Sequence, residues 1–181
     1  MTLGAQVLDE ARSQFANLKT LADGAFAQAD DRAFFAVPAE DANSIALVVK
    51  HMAGNARSRW TDFLTTDGEK PDRRRDREFE LAPEDTRAAL MAAWGEGWAA
   101  LDKALAPLAP EDLLKMVTIR GEPHSVLKAI DRQLTHYGYH VGQIVLLARL
   151  ARGADWKSLS VPRGGSEAFN ARMRDPSRSN A

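Results

Sequence analysis

A chain of 181 residues with 45% hydrophobic and 27% charged residues is long enough to fold as one domain around a hydrophobic core. Its 24 Lys and Arg stand against 25 Asp and Glu for a net charge of −1, which argues against a nucleic-acid partner held by a global positive excess. With no cysteine, disulfides, thiolate metal sites and a cysteine nucleophile are excluded, and any metal must be held by His, carboxylate, amide or carbonyl groups.

The first thirty residues carry Asp9, Glu10, Asp23 and Asp30 and no apolar run that suits a signal peptide or a membrane span. The expectation is therefore a cytoplasmic protein with no membrane partner. Leu3, Val7, Ala11, Phe15, Leu18 and Ala22 recur at three- and four-residue intervals and predict a first amphipathic helix that stops near Asp23-Gly24. From Gln28 to Pro38 no single period holds, and Phe34, Phe35 and Val37 read as an apolar plug.

Asp41, Asn43 and Ser44 are capping residues ahead of a second helix that carries Ile45, Val48, Val49, Met52, Ala56, Trp60, Phe63 and Leu64 to about Thr66, with Asp67-Gly68 as its stop. The run DGEKPDRRRDREFE, residues 67–80, interleaves both signs. It reads as a solvated loop, with an anion clamp built from Arg73, Arg74, Arg75 and Arg77 as the alternative. A third helix is expected from Pro83 to about Leu105, striped by Leu90, Trp94, Trp98 and Leu101, with Gly95 and Gly97 open to close backbone approach. Met116–Arg120 before Gly121 is β-prone and predicts a short strand or hairpin arm. A long fourth helix follows from about Ser125 to Arg152, closed by Gly153. The fold class is all-α, a four-helix bundle with a short β-arm before the last long helix. Residues 1–160 form the bundle and 161–181 a C-terminal tail.

Of the four histidines, His136 and His140 are four apart on the fourth helix, so their imidazoles share a face. Two partly buried histidines satisfied by hydrogen bonds are the alternative to a metal pair. The apolar run after His140 favours the metal, because an ion takes neutral imidazole where two charged rings would be costly to bury. His51 on the second helix is the candidate third ligand, and three nitrogens leave a coordination position open. Asn55, Gln133 and Gln143 are candidates for orienting ligands or binding a cofactor or substrate. His124, beside Pro123, reads as a cap or surface residue. Tyr137 stands where a zinc peptidase needs Glu, no Glu-x-x-His is present for a di-iron centre, and no Gly-x-Ser-x-Gly occurs. With no carboxylate base in evidence near the pair, the chemistry expected is a thiol or water activated by the ion itself.

The stretches VKHMAGNARSRWTDFL, DGEKPDRRRDREFE, LTHYGYHVGQIVLLAR and LSVPRGGSEAFN together resemble a branch of unknown function in the DinB-like (DinB/YfiT) superfamily of metal-binding helical proteins. The resemblance implies a homodimeric bundle in which His51, His136 and His140 carry Zn or Ni. It also implies chemistry akin to the transferases and isomerases that use low-molecular-weight thiols. The functional expectation is a metal-dependent transferase acting on a small-molecule substrate with such a thiol. A non-catalytic, stress-linked metal- or ligand-binding module is the alternative, and a metal-dependent hydrolase ranks third.

Overall fold

The computed structural model describes residues 1–175, and the chain is mostly helical. Six α-helices lie among the described residues: α1 (Leu3–Phe26), α2 (Asp31–Phe35), α3 (Ile45–Trp60), α4 (Arg87–Leu105), α5 (Val126–Arg152) and α6 (Ser166–Met173). Side-chain oxygens of Thr2, Asp30, Ser44, Thr86 and Ser125 cap α1 to α5 by accepting from the backbone N–H three residues on. Each cap satisfies one donor that a helix start leaves without an internal partner.

The four long helices share one core. α3 packs most extensively on α4, and α1 on α5. Each contributes an aromatic ring to a central cluster: Phe15 lies edge-on to Trp60, Trp98 and Tyr137 at centroid distances of 5.8, 6.5 and 5.6 Å. Edge-to-face contacts of this kind add to the stabilisation from area burial alone. Two of its polar tips are paired within the cluster, Trp60 Nε1 donating to Tyr137 Oη at 3.1 Å. Gly97 lets α3 and α4 approach, since a Cβ there would sit 2.9 Å from Ala56 Cβ, whereas Gly95 faces open space.

Several helix boundaries differ from expectation, each for a physical reason. α1 runs through Asp23-Gly24 to Phe26, because Gly24 is a contact surface and not a stop: a Cβ there would fall 2.7 Å from Leu159 Cδ2. α3 ends at Trp60 instead of Thr66. Thr61 is extended and Asp62 adopts φ 48°, which folds Phe63 back against Trp60 at 5.0 Å. α4 begins after Thr86, and Pro83 precedes it in a turn where Asp85 accepts from Ala82 N–H and Lys50 Nζ. Phe34 is fully buried in the short α2, but Val37 is exposed and plugs nothing.

The β-arm is an antiparallel hairpin of β1 (Met116–Ile119) and β2 (Glu122–Ser125). Arg120 and Gly121 both have positive φ, 56° and 75°, the requirement of a two-residue type I′ turn. The Asp67 carboxylate accepts from the N–H groups of Arg120 and Gly121, each at 2.8 Å, and Gly68 N–H donates to Thr118 O. Asp67-Gly68 therefore ties the charged segment to the hairpin instead of ending a helix. α6 buries no residue, and the remainder of the expected tail, 176–181, lies outside the described residues. No helix among the described residues is long and apolar enough to cross a membrane.

Candidate metal centre

Two consecutive faces of α5 part at Tyr137. Tyr137 turns into the aromatic core, and His136 and His140 turn to the other side, where they meet His51 from α3. His136 Nε2 lies 3.2 Å from His51 Nε2 and 3.1 Å from His140 Nε2. Ligand atoms of all three residues fall within 4.8 Å of one another. Metal–imidazole bonds of about 2.0–2.1 Å in a tetrahedral site place neighbouring nitrogens roughly 3.3 Å apart, so the observed spacing fits a single ion.

The outward ring nitrogens determine what the inward ones can do. His51 Nδ1 is 2.8 Å from Glu78 Oε2, and a carboxylate can only accept, so Nδ1 carries the proton and Nε2 presents a lone pair. His140 Nδ1 is 2.8 Å from Gln143 Oε1, whose amide nitrogen donates to Tyr139 Oη, which again leaves the lone pair on Nε2. Two lone pairs therefore face His136 Nε2, and one N–H there cannot serve both. The His136 Nδ1 atom is buried without a partner. Adding a proton to His136 or His140 does not relieve the crowding. Burial, followed by the neighbouring His140 and His51, holds His136 down at about 3, and burial also lowers His140. An electron-pair acceptor at the centre resolves the arrangement.

Support for His51 comes from the charged segment, which is not simply a solvated loop. Glu78, in a 3-10 turn (Arg75–Phe79), is buried, and both its oxygens accept from Arg73 at 2.8 Å. Burial alone would raise the Glu78 pKa, but the bonds from Arg73 and His51 outweigh it and hold the carboxyl below its usual range. Carboxylate–histidine–metal relays of this form fix the tautomer and orientation of a ligand. Gly54, one turn after His51, makes room for the arm: a Cβ there would lie 2.8 Å from Glu78 Cδ. Phe79 stacks on the His51 ring at 4.7 Å.

A carboxylate thus does sit near the site, contrary to expectation, but both of its oxygens are engaged away from the three converging nitrogens, and among the described residues no free carboxylate stands there. The anion clamp that stood as the alternative is also redistributed. Arg73 is spent on Glu78 and Glu69, Arg74 and Arg77 are not among the cavity's residues, and only Arg75 of the original four keeps a free place on the wall. Asn55, Gln133 and Gln143 all line the cavity of about 420 Å³ that opens over the three rings. Asn55 Oδ1 and Gln133 Oε1 are buried there without partners. His124 stays apart. It is buried in β2, with Nδ1 at 3.0 Å from Glu122 O, and neither caps α5 nor lies on the surface.

Sequence reasoning missed Glu78, Gly54 and Phe79, along with Arg120 and Arg132 on the cavity wall. A glycine in the middle of an otherwise regular helix was the one signal available for this support. No curated protein and no solved structure matches the chain. A family model described as "Protein of unknown function (DUF1572)" matches residues 2–165, and the chain belongs to that family.

Proposed function

We propose that the protein is a DinB-like four-helix bundle that holds one divalent ion, Zn or Ni, on His51, His136 and His140, and that it acts as a cytoplasmic, homodimeric, metal-dependent transferase using a low-molecular-weight thiol. The observation that carries this reading is the convergence of three Nε2 atoms whose lone pairs the three rings cannot all satisfy among themselves, with His136 Nδ1 buried without a partner. An ion held by His51, His136 and His140 would supply Lewis acidity that favours the thiolate form of a thiol near neutral pH.

The chain's own residues then have distinct tasks. Glu78 and Gln143 keep the protons of His51 and His140 on Nδ1, away from the centre. Asn55 and Gln133 offer buried acceptors to N–H or O–H groups of whatever fills the cavity. The Phe79 ring shields one face of His51 from water. A hydrolytic reading is weaker, because Glu78, the carboxylate in contact with the triad among the described residues, has both oxygens bonded to Arg73 and His51.

The test is elemental analysis of the purified chain, followed by addition of a panel of small thiols to cobalt-loaded protein. One ion per chain and a thiolate-to-cobalt absorption band are expected. A stoichiometric ion that no thiol perturbs would transfer the assignment to a non-catalytic metal-binding module.

A further inference from the structure

The cavity over the three imidazoles is more basic than its internal pairing accounts for. Among the described residues five arginines line it, Arg59, Arg73, Arg75, Arg120 and Arg132, and no carboxylate does. Two carboxylates outside the lining offset part of this charge. Glu78 binds Arg73, and Glu69 Oε2 accepts from Arg59, Arg73 and Arg120 at 3.1, 3.1 and 3.3 Å. Arg59 and Arg73 are consumed by these contacts, with side chains only 5% and 2% exposed.

The other three arginines reach the wall from three separate elements. Arg75 lies over the Phe79 ring at 5.2 Å, and that ring is itself stacked on His51. Its nearest acid, the fully exposed Asp76, is 3.9 Å away, a contact worth little in water. Arg120 stands at the tip of the β-hairpin, its backbone held by Asp67, and its side chain is half exposed while sharing Glu69 with two other arginines. Arg132 precedes His136 by one turn on α5, on the same face, and its polar contact is with His124 Nε2 at 3.5 Å. Carboxylates and phosphates are the groups that such guanidinium sets bind best.

We propose that this cavity selects small organic dianions, whose two carboxylate or phosphate charges are held by Arg75, Arg120 and Arg132 while another atom faces the three histidines. The inference rests on the metal-centre reading above for that last contact, and the arginine set is independent of it. The surplus of positive charge also predicts affinity that weakens with salt.

The experiment compares mercaptosuccinate, a dianionic thiol, with 2-mercaptoethanol, a neutral one, on the cobalt-loaded chain. Mercaptosuccinate is expected to bind at least about tenfold more tightly, with the advantage shrinking between about 50 and 300 mM salt. In the triple variant Arg75→Gln/Arg120→Gln/Arg132→Gln, which should keep its helical circular dichroism and its cobalt, the two thiols should differ by less than about threefold. Equal affinities in the parent chain would overturn the dianion site and leave the metal centre standing. A preference that survives in the triple variant would assign it to chelation by the ion alone and equally overturn the arginine site.

If neither thiol perturbs the cobalt, it is the thiol reading that fails. The arginine site is then read on the metal-free chain, as protection against thermal unfolding by succinate and by inorganic phosphate. Protection by either that is absent in the triple variant supports the site and names its anion. No protection by either overturns it.

Discussion

The aromatic centre of the core and the histidine cavity lie on adjacent residues of α5, and they treat buried polar atoms in opposite ways. In the core, Trp60 Nε1 donates to Tyr137 Oη, and the rings of Phe15 and Trp98 close around them. Trp94 Nε1 is the exception there, a buried donor without a partner for which we have no physical account. In the cavity, His136 Nδ1, Asn55 Oδ1 and Gln133 Oε1 are all left without protein partners, although burying such atoms unpaired costs about 1–3 kcal/mol each. The same helix thus closes its polar account on one side and leaves it open on the other. Unpaired groups gathered around a cavity are what a ligand site requires, because the ligand completes them.

That contrast can be broken most sharply by one substitution on each side. His136→Ala should abolish stoichiometric metal uptake, measured by elemental analysis, and leave the helical circular dichroism intact. Metal content unchanged in that variant would refute the triad. Phe15→Ala should do the reverse: about 3–5 kcal/mol of stability lost by denaturant unfolding, with one ion per chain still bound. If Phe15→Ala lost its metal without losing stability, core and cavity would not be separable units.

A smaller effect is expected from the support of His51. Gly54→Ala places a methyl group where Glu78 now lies, so the carboxylate arm must withdraw. Metal affinity should fall roughly 10–100-fold by competition with a chelator, while the fold is kept. An unaltered affinity would mean that Glu78 does not orient the ligand.

The smallest effect concerns pH. The depressed value of His136, about 3 against an ordinary 6.5, means that the unfolded chain takes up its proton first. The metal-free protein should therefore have this contribution in full above pH 6.5 and lose it progressively as pH falls toward 3. Between pH 6.5 and 5.5 the loss should be about 1 kcal/mol or less, allowing for partial solvent screening. Urea unfolding at these pH values, with His136→Ala as the flatter control, measures it.

Much of the helical framework follows from short-range rules. Apolar spacing marks four long helices, Ser44 and Ser125 mark two of their starts, Gly153 with φ 60° ends α5, and the β-prone Met116–Ile119 before Arg120-Gly121 marks the hairpin. Spacing also put His136 and His140 on one face, because four residues make about one turn. The boundaries that went wrong were decided by contacts that apolar spacing does not show. Leu159 against Gly24 carries α1 past its apparent stop, and the packing of Phe63 on Trp60 accompanies the early end of α3.

The charged segment 67–80 shows the division most clearly. By composition it is an interleaved run with nothing to separate one arginine or glutamate from the next, and its order of residues states only that these charges are available. Which of them became buried was decided in three dimensions: Asp67 fastens the segment to the hairpin, Gly54 admits Glu78 against α3, and Arg73 follows to compensate the buried carboxylate. Local periodicity is written in neighbouring residues and can be read from them, whereas the pairing of Glu78 with a histidine 27 residues away depends on the path of the chain between. The imidazole pair on one helix was legible for the first reason, and the arm and arginine wall around it were hidden for the second.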